Sequence, residues 1–518
     1  MRKTSIPRDD FVLTLLFGAI IGQKLQIAGI IAIHFLRACN KNTVCDRHRA
    51  GTMIGQLKTG RRFLFRYSLA LALALCAIAA CNNTLNEYKD GSYFVGSQRM
   101  ITWAKSFGGT QLDTGNCVIQ TSDGGYVIAG YSTSNDIDLT GNNGDEDIWI
   151  VKIDAHGALQ WQRNFGGSQN ERANKILQTS DGGYLLIGFT NSFDIDDGIN
   201  APSTYKGLYD ILAIKLDASG NRIWQHCYGG AGNDYGEAVV PSGEGGFIIA
   251  GYTSSNNTHD IPATYGNQDA FLLKINSNGD TTWAKAKVYG GTQNDIFYDI
   301  KQLPSGGYIA AGASQSSDHH LTGSGQHGNY DMWVSMFNSN GDISSSKCYG
   351  GTNEELASSI AINPNGGYVV AGYTKSNDGT VSGHHNITNY DTWLISIDAS
   401  LNLTWQQCYG GTANDQAYSI KYADSGYIVA GYTASSDGDV SGIRGMRDVW
   451  IFKINTGGGI VWQKNLGGSY DEEAYCTLPT SDNGYIIAGF SESINGDITD
   501  HRDDRDFWIV KVNDWGNW

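Results

Sequence analysis

The sequence predicts an all-β fold, a seven-bladed β-propeller of four-stranded antiparallel blades. Three observations carry that expectation. A Gly-Gly doublet after an aromatic or leucine recurs seven times, at Phe107-Gly108-Gly109 and then from residues 165, 228, 289, 349, 409 and 466. The spacing stays near sixty residues, the range of one propeller blade or solenoid unit. Each unit also divides into four short β-rich runs separated by Gly, Asp and Asn turns.

The first full unit illustrates the division. Alternation and β-branched content place strand A at about 115–121, B at about 125–131, C at about 147–153 and D at about 159–165. Ser122-Asp123-Gly124 links A to B, and Asp154-Ala155-His156-Gly157 links C to D, both hairpin-type turns. Strand B carries Gly124-Gly125-Tyr126-Val127-Ile128-Ala129-Gly130, repeated from 182, 245, 306 and 366 and shortened at Ser425-Gly426-Tyr427 and Asn483-Gly484-Tyr485. Strand C opens on an aspartate in every unit: Asp147, Asp210, Asp269, Asp331, Asp391, Asp448 and Asp506. One blade cannot bury both of its faces, so a ring of blades supplies the core.

The phase of the repeat predicts closure. Residues 102–107 (TWAKSF) read as a D strand with no A, B or C before them, and the chain ends just after a C strand at 507–512. Pairing the two completes the last blade with 473–512 and removes two open edges. The rival arrangement, an open solenoid, needs capping units, and none is evident.

Composition narrows the function classes. The chain has 518 residues with 67 Gly, 7 Pro and 58 aromatic residues, a strand-and-turn composition rather than a disordered one. Residues 1–81 hold 12 Lys and Arg against 3 Asp and Glu, yet the whole chain carries −16, so everything after the N-terminus is strongly acidic. An acidic body disfavours nucleic acid, whose phosphates need Lys and Arg.

Residues 61–81 (RRFLFRYSLALALALCAIAAC) place basic residues, an apolar run and small residues in the order of a secretory signal. Ile78-Ala79-Ala80-Cys81 resembles the lipobox of bacterial lipoproteins, and that resemblance implies cleavage before Cys81 and lipidation of its sulfur. The domains expected are therefore 1–52, an extension upstream of a start at Met53; 53–81, the lipoprotein signal; 82–100, a polar tether; and 101–518, the propeller. The localisation expected is the cell envelope, as an outer-membrane or cell-surface lipoprotein held to the membrane by its lipid. A monomer is expected.

The repeat resembles secreted bacterial seven-bladed propeller proteins with TSDGGYxxAGYT and W-x-x-x-[FY]-G-G signatures, over roughly residues 101–518. That resemblance implies an envelope propeller, usually without an assigned activity. Asp154-Ala155-His156-Gly157 with Trp161, and Asp217-Ala218-Ser219-Gly220 with Trp224, resemble the tryptophan-docking motif of quinoprotein propellers, one residue shorter. Thr121-Ser122-Asp123-Gly124-Gly125 resembles the Asp-box of sialidases, a structural element there. No catalytic residue carries over from either.

Function sits preferentially on long loops over a rigid scaffold, which favours the face of the B–C loops and D–A connections. A carboxylate follows every Gly-Gly doublet on that side: Asp113, Glu171, Asp234, Asp295, Glu355, Asp415 and Glu472. Such a ring could bind Ca2+ through oxygen ligands; the alternative is that each fixes its own turn. Five histidines, His319, His320, His327, His384 and His385, break the symmetry in two neighbouring B–C loops and are the candidate metal ligands. Unrepeated loop tyrosines, Tyr205, Tyr209, Tyr265 and Tyr330, are candidate sugar platforms. Of the cysteines, Cys227, Cys348 and Cys408 recur on outer strands, while Cys117 and Cys476 share an inner-strand position in neighbouring blades. No Ser-His-Asp order, phosphate loop or CxxC is present. The function expected is a binding or structural scaffold for a glycan or protein partner, not an enzyme and without a cofactor; the alternative is a carbohydrate-active hydrolase or lyase on the same face.

Overall fold

The computed structural model describes residues 101–195, 205–502 and 504–514. The 28 strands form seven four-stranded antiparallel sheets, one per repeat. In blade 1 the order from the channel outward is β2 (Asp113–Gln120), β3 (Tyr126–Ser132), β4 (Asp147–Ile153) and β5 (Leu159–Phe165). Strands C and D lie where the sequence places them, and A starts two residues earlier.

Ring closure is as expected. Strand β1 (Ile101–Phe107) pairs antiparallel with the last C strand, Asp506–Asn513, from Phe107↔Phe507 to Ile101↔Val512. It is the outer strand of the blade built on Glu472–Pro479 and Gly484–Ser491.

The periodic residues explain the packing. B strands carry apolar residues on both faces (Tyr126–Ser132 is buried throughout) because a neighbouring blade covers each side. Trp149, Trp333, Trp393, Trp450 and Trp508 on strand C are 2% exposed or less. The indole N–H of Trp149, Trp393 and Trp450 donates to a glutamine on strand D. The D-strand tryptophans reach sideways instead. Trp103 donates to the carbonyl of Ala155 in the next blade's C–D turn, and Trp224 does the same to Ser277. A Cβ on Gly157 would fall 3.1 Å from the Trp103 ring and one on Gly220 2.9 Å from the Trp161 ring, and both glycines have φ near +80°. The tryptophan docked on each of these turns comes from the preceding blade.

Blade 3 departs from the pattern. Its D strand is only Lys287–Tyr289, because two extra residues separate Trp283 from the Gly-Gly doublet and interrupt the pairing.

Candidate functional site

Every A strand contains a β-bulge at its fourth residue, as between Gly115 and Cys117 or Gly236 and Ala238. The bulged residue has no partner on strand B and faces the central channel. In chain order these residues are Asn116, Asn174, Glu237, Tyr298, Ser358, Tyr418 and Tyr475. The second residue of each A strand and the Gly-flanked aromatic of strand B widen the opening toward the B–C/D–A face. The result is a cavity of about 540 Å³ lined by Tyr131, Phe189, Tyr235, Tyr252, Tyr298, Tyr373, Tyr418 and Tyr475 together with Arg172, Asn174, Lys175 and Glu237.

The rings cluster in the wall. Tyr209 stacks on Tyr235 (centroids 5.4 Å apart) and Tyr235 on Tyr252 (4.9 Å), while Tyr418 meets Tyr475 at 5.2 Å. Cations hold the rim: Arg172 lies 4.1 Å over Tyr131, and Arg505 lies 3.8 Å over Phe490. The rim arginines are themselves paired, Arg172 with Glu146, Arg447 with Glu473 and Arg505 with Glu492. Burial pushes the Glu237 carboxyl up to about 7 against the pull of the Lys175 ammonium. Asn174 donates to Glu237 across 3.1 Å.

The surrounding face is apolar at its tips. Of twelve exposed large apolar residues among the described ones, nine lie on B–C or D–A segments, including Phe193, Leu208, Ile387, Met446, Tyr470 and Ile494. A second cleft, of about 440 Å³, lies on the opposite face at the turns of blades 5 and 6 and is lined by turn residues such as Asn363, Asp398 and Thr456.

The carboxylate ring is not part of this surface. Asp113, Glu171, Asp234, Asp295, Glu355, Asp415 and Glu472 are all fully buried. Each accepts the N–H of the second glycine of its doublet, at 2.6–2.8 Å. Most also accept a hydroxyl from the end of strand B, as from Ser314 to Asp295. They fix their turns, and no face remains for a ligand. The C-strand aspartates are equally buried. Each accepts a backbone N–H from the loop before it, as Asp147 does from Asn143 and Asp506 from Arg502. In six of the seven the other oxygen has no partner. Burial raises Asp113, Asp147 and Asp210 to about 7 and Asp269, Asp331 and Asp506 to about 6. An orphaned, uphill-shifted carboxyl binds its proton more tightly in the folded state than in the unfolded one.

The five histidines do not converge either; among the described residues no three His, Cys, Asp or Glu side chains are grouped to hold a metal. Three of them, His320, His327 and His385, occupy repeat positions of an inter-blade clasp. His320 Nδ1 faces the N–H of Gly290, where Asp138, Asp260, Asp439 and Asp497 face the equivalent glycine elsewhere. His327 and His385 stand where Lys206, Arg444 and Arg502 stand, and each touches its C-strand aspartate, at 3.3 and 2.6 Å. In the charged versions the clasp crosses blades, as Arg502 to Asp138 at 2.8 Å and Arg444 to Asp497 at 2.5 Å. His384 is buried on the Thr374 carbonyl, and His319 packs against Tyr265.

Of the expected sugar platforms, Tyr209 belongs to the tyrosine wall, and Tyr330 lies nearby, accepting from Asn294. Tyr205 and Tyr265 lie in the loops outside it. The Asp-box aspartate Asp123 accepts from Thr121 and Gly125 and pairs with Lys152, which makes it a turn support. Residues 1–100, including Cys81 and the tether, lie outside the described residues. Among the described residues no helix is long and apolar enough to cross a membrane.

No family model matches the chain. The regulatory protein FlaEY of Caulobacter vibrioides is 24% identical over 399 residues, which covers 69% of this chain and 40% of that protein. The chain thus spans well under half of that relative's length. Among solved structures, the hydrazine synthase of Kuenenia stuttgartiensis aligns over 78% of this chain and 96% of its own with a TM-score of 0.45 at 9% identity. The WD40 domain of Neurospora crassa Pan2 aligns over 78% and 90%, with a TM-score of 0.42 at 10% identity. Neither likeness bears on chemistry.

Proposed function

We propose that this chain is an envelope binding protein, tethered through Cys81, that takes a glycan into the tyrosine-lined mouth of its propeller. The observation that carries the reading is the wall of stacked tyrosines around a cavity that also offers Asn116, Asn174, Ser358, Arg172 and Glu237. Aromatic faces cover the C–H faces of pyranose rings, and amides, guanidinium and carboxyl groups pair with hydroxyls. A pocket that sets aromatic faces beside convergent polar groups is what such recognition needs. The nine exposed apolar residues of the B–C and D–A segments lose water contact when a partner covers that face. The likeness to a regulatory protein fits a binding role.

The test is calorimetric titration of the full chain with a panel of oligosaccharides. Tyr235→Ala and Tyr252→Ala are expected to weaken the best ligand about tenfold each, or about 1.4 kcal/mol. An unchanged affinity in both variants, or a panel without any binder, contradicts the proposal. The alternative reading, a hydrolase or lyase, draws on one feature: the Glu237 carboxyl, raised to about 7 within the cavity, is placed to exchange a proton near neutrality. It requires that a bound oligosaccharide be cleaved and that Glu237→Gln abolish cleavage while leaving binding intact.

A further inference from the structure

We infer that Cys117 and Cys476 form a disulfide site that locks the ring shut across the seam between blades 1 and 7. Both sulfurs are buried, and they lie 3.9 Å apart, in van der Waals contact. Each cysteine is the fifth residue of its A strand, directly after the bulge. Side chains at that position reach the next blade elsewhere too. Asp299 accepts from the Ser359 hydroxyl and the Ile360 N–H, both at 3.0 Å. Ser419 accepts from the Thr477 N–H at 3.1 Å. Contact across the seam is therefore a property of the position, and only the blade 7–1 seam places two thiols there.

The S–S bond requires an approach of about 2 Å beyond this contact. The adjoining bulges supply local slack, since one residue of each strand is free of its ladder. The channel supplies a route and a charge. Asn116 and Tyr475, the chain neighbours of the two cysteines, line the cavity that opens at the mouth. The hydrogen bond with Cys117, then the Lys175 and Lys421 ammoniums, hold the Cys476 thiol below its usual range against burial, while that same hydrogen bond and burial push Cys117 above it. Lys301, Asp299 and Glu237 are further charged groups on the inner strands, besides Arg172, Glu473 and the carboxylates that open each strand.

The chemistry is thiol–disulfide exchange with a small disulfide, R–S–S–R. The Cys476 thiolate attacks one sulfur of the reagent, forms a mixed disulfide and releases RS⁻, which takes up a proton as RSH. The Cys117 sulfur, losing its proton, then attacks the Cys476 sulfur and releases the second RSH. The two cysteines give up two electrons and two protons, and the reagent accepts both. The bond closes a loop across 359 positions of chain, and the seam can then no longer part.

The experiment uses the purified full chain incubated with oxidised glutathione, then digested without reductant. Mass spectrometry should find the Cys117 peptide joined to the Cys476 peptide, and the oxidised protein should unfold in denaturant about tenfold more slowly or better than the reduced protein. Cys117→Ser and Cys476→Ser should lose that slowing, whereas Cys348→Ser should keep it. Recovery of the two peptides only as free or glutathionylated species overturns the inference, and this readout needs no variant. A cross-link that leaves the unfolding rate unchanged overturns its role as a lock.

Discussion

At the residue scale, the buried carboxylates Asp113, Asp147, Asp210, Asp269, Asp331 and Asp506 make stability depend on pH in an unusual direction. A carboxyl raised from 3.8 to about 6 or 7 binds its proton more tightly in the folded chain than in the unfolded one. Between about pH 4 and about pH 7 the folded state therefore carries more protons, and raising the pH removes stability. Below about pH 4 the effect is fully present, but Asp123 and Asp181, lowered to about 2 by hydroxyl and lysine partners, begin to lose theirs. Thermal unfolding is expected to show a higher Tm near pH 5 than near pH 8; a Tm rising steadily over that range contradicts the assignment. Asp147→Asn removes the titration while keeping an acceptor for the Asn143 N–H, so its Tm loss relative to the parent should shrink from pH 5 to pH 8. Trp393→Ala, at a site with no exposure, is expected to cost about 3–5 kcal/mol in denaturant titration.

At the scale of the element, β1 does the closing. Deleting residues 101–107 leaves the C strand Asp506–Asn513 as an unpaired edge and exposes Trp508, which is 2% exposed in the closed ring. Size-exclusion chromatography of that deletion should show dimers or larger species; a stable monomer with the parent Tm would mean that the strand is dispensable. This pairing was legible in the sequence because it follows from phase alone: a D strand in excess at one end and one missing at the other. The blade 3 D strand was less legible, since Trp283 keeps its repeat position while two inserted residues after it break the ladder. The histidines misled for a related reason. As residues they break the pattern, yet in space His320, His327 and His385 fill positions that arginine, lysine or aspartate fill elsewhere, which only the aligned clasp reveals.

For the whole molecule, repetition and variation divide the labour. Residues that recur in every blade, the carboxylates, glycines and tryptophans, hold the scaffold, and the ring of Asp113 and its equivalents proved to be buried there. Residues that change from blade to blade at the second and fourth positions of strand A line the channel, and four of them are the tyrosines Tyr235, Tyr298, Tyr418 and Tyr475. A reading that follows what repeats selects the former and passes over the latter; aligning the seven A strands and asking what differs would have found the mouth. The side of the disc was legible, since strand direction alone puts the B–C and D–A segments together. The channel was not, because the bulge that turns the fourth residue inward leaves no mark in hydrophobic periodicity.

The most direct test of the closed ring is hydrogen exchange of the amides of residues 101–107, followed by mass spectrometry. The account predicts protection matching that of the partner strand at 507–512, with both lost together on global unfolding. Rapid exchange of 101–107 while 507–512 stays protected would contradict it.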